Sequence, residues 1–435
     1  MDYVKAVNPE PQLKRSLGLF STTLIGIGII LGAGIYALIG EGVAVAGANV
    51  WISFLAAAIV AGLTGLGYAE LSSMYPKAGA EYNYVKNAFS KKWGFLAGWM
   101  IIVSGFIAIS TVALGFGGYF QAFTGFPLLA SAMGIVILSA IVVWIGVKQS
   151  AWIGGFFTLI ETAGLLFIIW LGISFFGTQP LIDFSIPITS VLAGGALVFF
   201  AFIGFEDIVR MSEETKKPRK TIPRAIILSI IISSVLYILV AIAAISIVGA
   251  ESLADSSAPL ADVAGVAQGQ ESFLVLSIIA LFSTGNTVLL FLLVVSRILY
   301  GMATEKSLPS FFGSINKRSS PGHAVFATGF FALLFLLVGS IGFVANITAF
   351  LLFVVFIIVN LSVIRLRLQQ PNLERPFKVP LSIKNIPLLP VLGVLTSLVL
   401  LVSMPLEVIG LGIAIIVVGG LYGWKKFSQK ELAAP

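Results

Sequence analysis

The chain has 435 residues, of which 58% are hydrophobic and only 10% are charged, with a mean hydropathy of +1.05. A water-soluble fold of this length cannot bury so much apolar surface, so the composition excludes a soluble protein and predicts one covered by lipid. The net charge of +7 does not indicate nucleic-acid binding, because the basic residues stand in short connections between apolar segments. With no cysteine and one histidine, His323, we expect no disulfide and no metal site.

The apolar segments predict an all-α, polytopic membrane protein with twelve membrane-spanning helices, since about 20 apolar residues cross the hydrocarbon core. We number these segments span 1 to span 12. Their predicted ranges are 17–43, 49–72, 93–120, 126–147, 150–176, 189–210, 222–248, 271–300, 322–343, 346–366, 385–403 and 406–424. The whole chain, 1–435, is therefore predicted to be a single transmembrane domain.

All 26 Lys and Arg residues stand at one end of the predicted spans, in alternate connections and at both termini. They include Lys5, Lys14, Lys77 and Lys148. The other connections carry acids but no Lys or Arg; these acids are Asp183, Glu251, Asp255, Asp262 and Glu271. Because basic connections face the cytoplasm, the pattern predicts a multi-pass protein of the cell membrane with a cytoplasmic N-terminus (1–16) and C-terminus (425–435).

Spans 1 and 6 contain glycine clusters in the middle of the membrane. Span 1 reads IGIGIILGAGIYALIG, and span 6 reads AGGALVFFAFIGFEDIV. Such clusters indicate either close helix packing or a break in the helix. Because the two spans are five apart, we predict two inverted repeats, 17–176 and 189–366, each beginning with a helix broken at the membrane midplane. Two additional helices, 385–424, would follow the repeats.

A helix break inside a membrane predicts a binding site, because freed backbone groups need partners that lipid does not offer. Freed amides at the start of the outer half of span 1 would present a positive dipole end suited to a carboxylate. These amides belong to Gly32, Ala33 and Gly34. Freed carbonyls would suit an ammonium, and they lie near Ile30, Phe200 and Ile203. One small zwitterion satisfies both sets, so the breaks predict an α-amino acid as the ligand.

Five segments carry a family resemblance. They are IGIGIILGAGIY in span 1, YAELSSMYPKAGAEYNYV after span 2, FFAFIGFEDIVRMSEETKKPRKTIPRAI through span 6, SRILYGMATEKSLP after span 8 and RPFKVPL before span 11. Together they resemble the amino acid-polyamine-organocation (APC) superfamily, in particular bacterial and archaeal amino acid permeases related to cationic amino acid transporters. The resemblance implies a five-plus-five inverted-repeat fold and alternating access to a central site. The substrate-binding residues that it implies are Ile30, Gly32, Ala33, Gly34, Phe200, Ala201, Phe202 and Ile203.

Glu161 lies near the middle of span 5, where an ionisable residue is a functional hypothesis by default. Several proton-coupled members of the resembled family carry a lysine at this position, between a span 1 backbone group and a span 8 hydroxyl. Those groups match Gly28 and either Ser283 or Thr284. A carboxylate cannot replace an ammonium, so our interpretation is that Glu161 carries the coupling proton. The alternatives are a protonated, hydrogen-bonded packing residue, or an ionised Glu161 that holds a cation or a basic substrate side chain.

Four acids near the basic end have competing interpretations. Glu206, after the break in span 6, is a gating candidate, as the matching acid in relatives is thought to be. Alternatively, Glu206 and Asp207 together could cap the following half-helix and bridge to Arg210 or a basic loop. For Glu70 and Glu81, which flank the loop after span 2, we expect solvated or loop-pairing roles at the cytoplasmic surface.

These features together predict a secondary active, proton-coupled amino acid transporter. A neutral or apolar L-amino acid is favoured, because the pocket region offers a basic side chain no acid apart from Glu161. The alternative is a cationic amino acid or polyamine transporter or exchanger, and the alternative from another class is a membrane amino acid sensor. The chain lacks the sequence signatures of an enzyme. We expect no cofactor beyond the coupling ion, with sodium as the alternative to the proton. The expected partners are the amino acid and membrane lipids, without nucleic acid or an obligate protein partner.

Overall fold

The computed structural model describes residues 15–76, 80–146, 151–316 and 320–432, and most of this chain is helical. The all-α class is therefore confirmed. The predictions for Lys5, Lys14, Lys77 and Lys148 lie outside the described residues. Within them, nine segments are long and apolar enough to cross a membrane, and the first of these, Leu19–Met74, contains two helices. The protein is a polytopic membrane protein, while the number of twelve spans and the inverted repeat stay predictions.

The helices of the described chain follow one another with short connections. They are α1 (Leu19–Ala46), α2 (Val50–Met74), α3 (Ala80–Ala88), α4 (Lys91–Thr124), α5 (Leu128–Ile145), α6 (Ala151–Ile173), α7 (Ile188–Val198), α8 (Pro218–Ala254), α9 (Pro259–Gln268), α10 (Gln270–Thr304), α11 (Gly322–Phe335), α12 (Ile341–Gln369), α13 (Leu388–Val402) and α14 (Leu406–Leu432). Short 3-10 helices cover Gly47–Asn49, Phe199–Phe202, Phe205–Glu213 and Ser310–Gly313. Strands β1 (Ser382–Ile383) and β2 (Ile386–Pro387) form an antiparallel hairpin before α13.

Two helices were not predicted from the sequence, and one boundary was wrong. The helices α3 and α9 have 9 and 10 residues, too short for a search based on span length. Span 9 was predicted to reach residue 343, but α11 ends at Phe335 and α12 begins at Ile341. The Ser340 side chain accepts a hydrogen bond from the Phe343 amide at 3.3 Å, so an N-cap starts α12 earlier than predicted.

The helices pack into two groups. In one group α1 and α2 pack on α7 and α8, and in the other α4 packs on α5, α10 and α11, while α6 and α12 contact helices of both groups. Apolar side chains such as Trp170, Phe326 and Leu421 are largely exposed on the outside of the bundle. Such an apolar exterior is expected where lipid covers the protein. We call the end that carries the Lys and Arg clusters the basic end, and the other the opposite end.

Candidate binding site at two helix breaks

The predicted break in span 1 is present at Gly32. The backbone of this residue is non-helical (φ 0°, ψ −144°), and it divides α1 into two halves. A side chain at this position would begin 2.9 Å from the Thr287 hydroxyl oxygen, closer than real Cβ atoms come to neighbouring atoms. Glycine therefore allows both the break and the approach of α10.

The predicted break in span 6 lies between two short 3-10 helices. The chain leaves α7 at Val198, turns through Phe199–Phe202, becomes extended at Ile203 and takes a left-handed conformation at Gly204 (φ 115°). A left-handed residue favours glycine. The Gly204 amide donates a hydrogen bond to Glu206 Oε2 at 3.0 Å, so the gating candidate Glu206 also caps the second half of the broken helix.

The two breaks are in direct contact. A Cβ atom on Gly34 would lie only 2.4 Å from the Cα atom of Ala201, and one on Gly204 would lie 2.5 Å from a side-chain atom of Ile29. Backbones can approach this closely only where a residue lacks a side chain. The two interpretations of the glycine clusters, close packing and a break, therefore both apply.

The Tyr237 hydroxyl of α8 lies at the break and was not predicted. It is within hydrogen-bond distance of the Ile30 carbonyl (2.6 Å) and the Ala201 carbonyl (2.8 Å), and its ring packs edge-on against Phe202 with 5.2 Å between centroids. The Ile30 carbonyl, predicted to bind an ammonium, therefore already has a hydrogen-bond partner in this conformation, and its role in substrate binding stays a prediction. A buried carbonyl needs a donor, and a tyrosine hydroxyl supplies it.

Two more of the predicted free groups also have partners. The Ala33 amide donates to the Thr287 hydroxyl at 3.2 Å, and the Phe200 carbonyl accepts a hydrogen bond from the Ile203 amide at 3.2 Å. Thr287 in turn donates to the Ser283 carbonyl of its own helix at 2.9 Å. The only sequence signal for Thr287 was its position four residues after Ser283, which places both on one face of α10.

Glu161 is buried in α6, with 3% of its surface exposed, and its carboxyl lies beside the Ser283 hydroxyl. That hydroxyl makes no hydrogen bond of good geometry with the described residues. Thr158, one turn before Glu161, packs closely against Gly28. A Cβ atom added to Gly28 would lie 1.9 Å from the Thr158 hydroxyl oxygen. The structure thus brings together Gly28, the face of α6 that carries Glu161, and Ser283.

The Thr284 hydroxyl bonds within its own helix in this structure, and its predicted part in proton coupling stays a prediction. This hydroxyl donates to the Ala280 carbonyl of α10, one turn earlier, at 2.6 Å. A tyrosine that was not predicted contacts α6 here: the Tyr36 hydroxyl donates to the backbone carbonyl of Glu161 at 3.0 Å. Tyr36 lies on the half of α1 beyond the break, so this bond ties that half to α6.

A cavity of about 50 Å³ runs from the breaks toward the basic end. Ile203 lines it at the break, and its other walls come from α4, α10 and α12. These walls are mainly apolar, and they are formed by Ile101, Ser104, Gly105, Ala108, Phe291, Val294, Val295, Ile298, Thr348, Leu352 and Val355. The cavity can therefore surround an apolar group that sits on the basic side of the breaks.

The mouth of the cavity at the basic end is charged. Arg210 forms ion pairs with Asp207 at 2.7 Å and with Glu81 of α3 at 3.8 Å, and the Tyr68 hydroxyl lies 3.4 Å from Glu81. Burial raises the pKa of the Glu81 carboxyl above its ordinary value, and the nearby Arg210 opposes this shift in part. Together with Glu206, these residues line the cavity and connect α2 and α3 to the second half of span 6.

At the opposite end, the site is closed by hydrogen bonds of the Tyr119 side chain to backbone groups and by a close approach of two backbone segments. The Tyr119 hydroxyl donates to the Tyr36 carbonyl at 3.0 Å and accepts from the Leu260 amide of α9 at 3.2 Å. A Cβ atom on Gly118 would lie 2.4 Å from the Ser257 carbonyl oxygen. Within the described chain, the site is therefore approached through the basic-end cavity.

The fold and the site define a multi-pass membrane permease. The family model described as amino acid permease matches residues 17–424, so the chain belongs to that family, within the APC superfamily. The family resemblance carried by the sequence motifs is confirmed.

Relatives agree with this assignment. The chain is 29% identical to the branched-chain amino acid permease of Bacillus subtilis, over 93% of this chain and 91% of the relative. It is 31% identical to the branched-chain amino acid permease of Lactococcus lactis subsp. cremoris, over 86% of each chain. It is 32% identical to the cationic amino acid transporter 4 of Homo sapiens, over 83% of this chain and 61% of the relative. These relatives are permeases and transporters rather than enzymes.

Proposed function

We propose that this protein is a secondary active transporter that moves neutral, apolar L-amino acids across the cell membrane together with protons. The observation that carries the proposal is the contact between two broken helices above a cavity with mainly apolar walls. The names of the two bacterial relatives, branched-chain amino acid permeases, support an aliphatic substrate. The one-sided Lys and Arg distribution supports cytoplasmic termini.

The hydrogen bonds at the breaks suggest how the substrate is held. A substrate ammonium would replace the Tyr237 hydroxyl at the Ile30 and Ala201 carbonyls, and a carboxylate would take the Ala33 amide from Thr287. Further donors for the carboxylate would be the amides of Gly32 and Gly34. In this proposal the two hydroxyls satisfy backbone groups at the breaks while the site is empty and withdraw when substrate binds, so the cost of unpaired backbone groups is reduced in the empty state.

The proposed coupling residue is Glu161. Its carboxyl is buried beside Ser283 and close to the contact between Gly28 and Thr158, which joins α6 to the first half of α1. A proton gained or lost there changes the charge at the joint between these helices. Protonation would therefore favour one arrangement of the broken helix over the other, which is how a proton gradient could drive transport.

A cationic substrate is the second candidate, and the charges at the cavity mouth favour it. Glu81, Glu206 and Asp207 place three carboxyl groups there beside the single guanidinium of Arg210. A lysine or arginine side chain that extends toward the basic end would meet these acids. The similarity to a human cationic amino acid transporter points in the same direction.

The test is uptake of radiolabelled leucine and arginine into proteoliposomes that contain the purified protein. A pH gradient, alkaline inside, should drive leucine accumulation above equilibrium, and a protonophore should abolish it. An imposed sodium gradient serves as the matched control for the coupling ion. Accumulation of arginine but not leucine would establish the second candidate. Saturable binding without any accumulation would contradict transport and indicate a sensor.

A further inference from the structure

A second pocket, on the surface of the basic end, is lined mainly by cations. Its lining consists of Arg15, Lys217, Arg219 and Lys220 with two prolines, Pro76 and Pro218. All four cationic side chains are exposed. Like charges held around one pocket repel one another, and a bound anion would remove this repulsion.

Backbone pairing creates this pocket from two distant parts of the chain. The amides of Ser16 and Leu17 donate to the Glu214 carbonyl at 3.0 and 3.1 Å, and the Lys216 amide donates to the Leu17 carbonyl at 2.8 Å. Leu17 is buried at this pairing. The segment before α1 is therefore fixed to the loop before α8, and Arg15 is held beside Lys217 at the end of that loop and beside Arg219 and Lys220 in the first turn of α8.

Hydrogen bonds fix the backbone of the loop before α8. Lys217 has a left-handed backbone (φ 50°, ψ 56°), which is uncommon for a residue with a long side chain. Its carbonyl accepts hydrogen bonds from the amides of Lys220 and Thr221 at 3.0 Å each, and the Thr221 hydroxyl donates to the Lys216 carbonyl at 2.8 Å. The cations are therefore carried by a fixed backbone.

Within the described part of the chain, an ion pair reaches the lining of the pocket. Among the described residues, the acid that pairs with the lining is Glu374, 3.7 Å from Arg219, and the two side chains are 80% and 54% exposed. Exposed ion pairs of this kind contribute little stabilising free energy. The four cations of the lining and the one acid paired with them carry an excess of three positive charges.

The pocket stands at the membrane boundary. The helix α1 begins at Leu19, immediately after the paired segment, and Phe20 in its first turn is 80% exposed. Clustered cations that precede a span with an exposed phenylalanine in its first turn are an arrangement suited to headgroups and acyl chains, respectively. A soluble anion would make no use of Phe20, so the position favours a lipid.

We propose that this pocket binds the phosphodiester headgroup of an anionic phospholipid, with the acyl chains beside Phe20. Because the pocket joins the start of α1 to the start of α8, a bound headgroup would hold the first half of the broken helix in place. This pocket shares no lining residue with the cavity, and the inference does not depend on which substrate is transported.

The test compares two double variants of the full-length protein in an uncharged detergent. Lys217→Gln/Lys220→Gln removes two charges from the pocket, and the matched control Lys91→Gln/Lys425→Gln removes two exposed charges elsewhere at the basic end. Arg15→Gln is an independent third variant outside α8. The probes are dioctanoyl phosphatidylglycerol, dioctanoyl phosphatidylcholine and inorganic phosphate, titrated while the unfolding temperature is recorded.

We expect phosphatidylglycerol to stabilise the wild type saturably. Its apparent affinity should fall roughly fivefold per lysine, or about 25-fold for the pocket double variant, and remain unchanged in the control. Arg15→Gln removes one charge and should therefore lower the apparent affinity for phosphatidylglycerol roughly fivefold. Equal weakening in pocket and control variants, or equal stabilisation by phosphatidylcholine, would overturn the proposal. Stabilisation by inorganic phosphate as strong as that by phosphatidylglycerol would show a soluble-anion site instead.

Discussion

Two hydroxyl side chains satisfy the backbone at the helix breaks, and each comes from another part of the chain. Tyr237 is 207 residues from Ile30 in sequence, and Thr287 is 254 residues from Ala33. In the proposed mechanism a ligand replaces both hydroxyls, which bond to these backbone groups while the site is empty. This gives the empty site a stable hydrogen-bonded state, as a transporter that cycles without substrate requires.

Glu161→Gln tests the proposed coupling residue. Glutamine has nearly the same shape but cannot release a proton, so leucine binding should remain within about twofold while accumulation driven by a pH gradient is lost. Binding is measured by thermal shift and accumulation in proteoliposomes. The control is Glu271→Gln, which removes an exposed acid from the opposite end. Undiminished pH-driven uptake by Glu161→Gln would refute the assignment.

Glu81 should make stability depend on pH. Because burial raises its pKa, the folded protein holds this proton more tightly than the unfolded chain does. Its contribution to stability is present below the ordinary glutamate pKa and is lost as the pH rises through the raised value. The unfolding temperature of Glu81→Gln minus that of the wild type should therefore increase with pH across that window. Glu374→Gln, which changes an exposed acid at the same end, should show no such trend.

At the scale of elements, the breaks were predictable and their partners were not. Glycine is the residue that permits the conformation at Gly204 and the contact at Gly34, so both positions could be recognised in the sequence. The positions of Tyr237 and Thr287 depend on how α8 and α10 pack against α1, which no local pattern encodes. The helices α3 and α9 were missed because they do not span a membrane.

Gly34→Ala tests the contact between the two breaks. The added methyl group would lie 2.4 Å from the Ala201 Cα atom, so the broken helices must separate. We expect a loss of about 1–3 kcal/mol in stability together with loss of uptake. The control is Gly134→Ala in α5, where no atom lies within 4 Å of the added methyl group and stability should be unchanged or rise by up to about 1 kcal/mol. Equal behaviour of the two variants in thermal unfolding would contradict the contact.

At the scale of the whole molecule, a buried acid at the basic end joins α2 to α12 and to the segment after α12. Glu70 of α2, with 1% of its surface exposed, pairs with Arg367 of α12 through two contacts and with Arg375 at 3.3 Å, and it accepts from the Val379 amide at 2.8 Å. The predicted loop-pairing role is confirmed, but the predicted surface position of Glu70 and Glu81 was wrong. The segment after α12 and the helix α3 cover these acids, and the sequence does not show which connections fold back over an end.

Glu70→Gln should destabilise the protein more than Glu81→Gln or Gly34→Ala does. Arg367 and Arg375 would keep their charges without a carboxylate partner, and breaking a buried pair in this way costs about 3–5 kcal/mol. Thermal unfolding in detergent measures the effect. Glu407→Gln removes an exposed acid from the opposite end and should leave the unfolding temperature unchanged. A stable Glu70→Gln protein would show that the described ion pairs contribute little.

The closure by Tyr119 and Leu260 gives the two sides of the membrane different kinetics. Substrate on the basic side meets the cavity at its ion-paired mouth, whereas substrate on the opposite side must wait for the contacts between α1, α4 and α9 to separate. Only the fraction of molecules that has opened can bind from that side, so the apparent dissociation constant there is increased by the reciprocal of that fraction. Two Michaelis constants, one for each direction, are therefore needed to describe this protein.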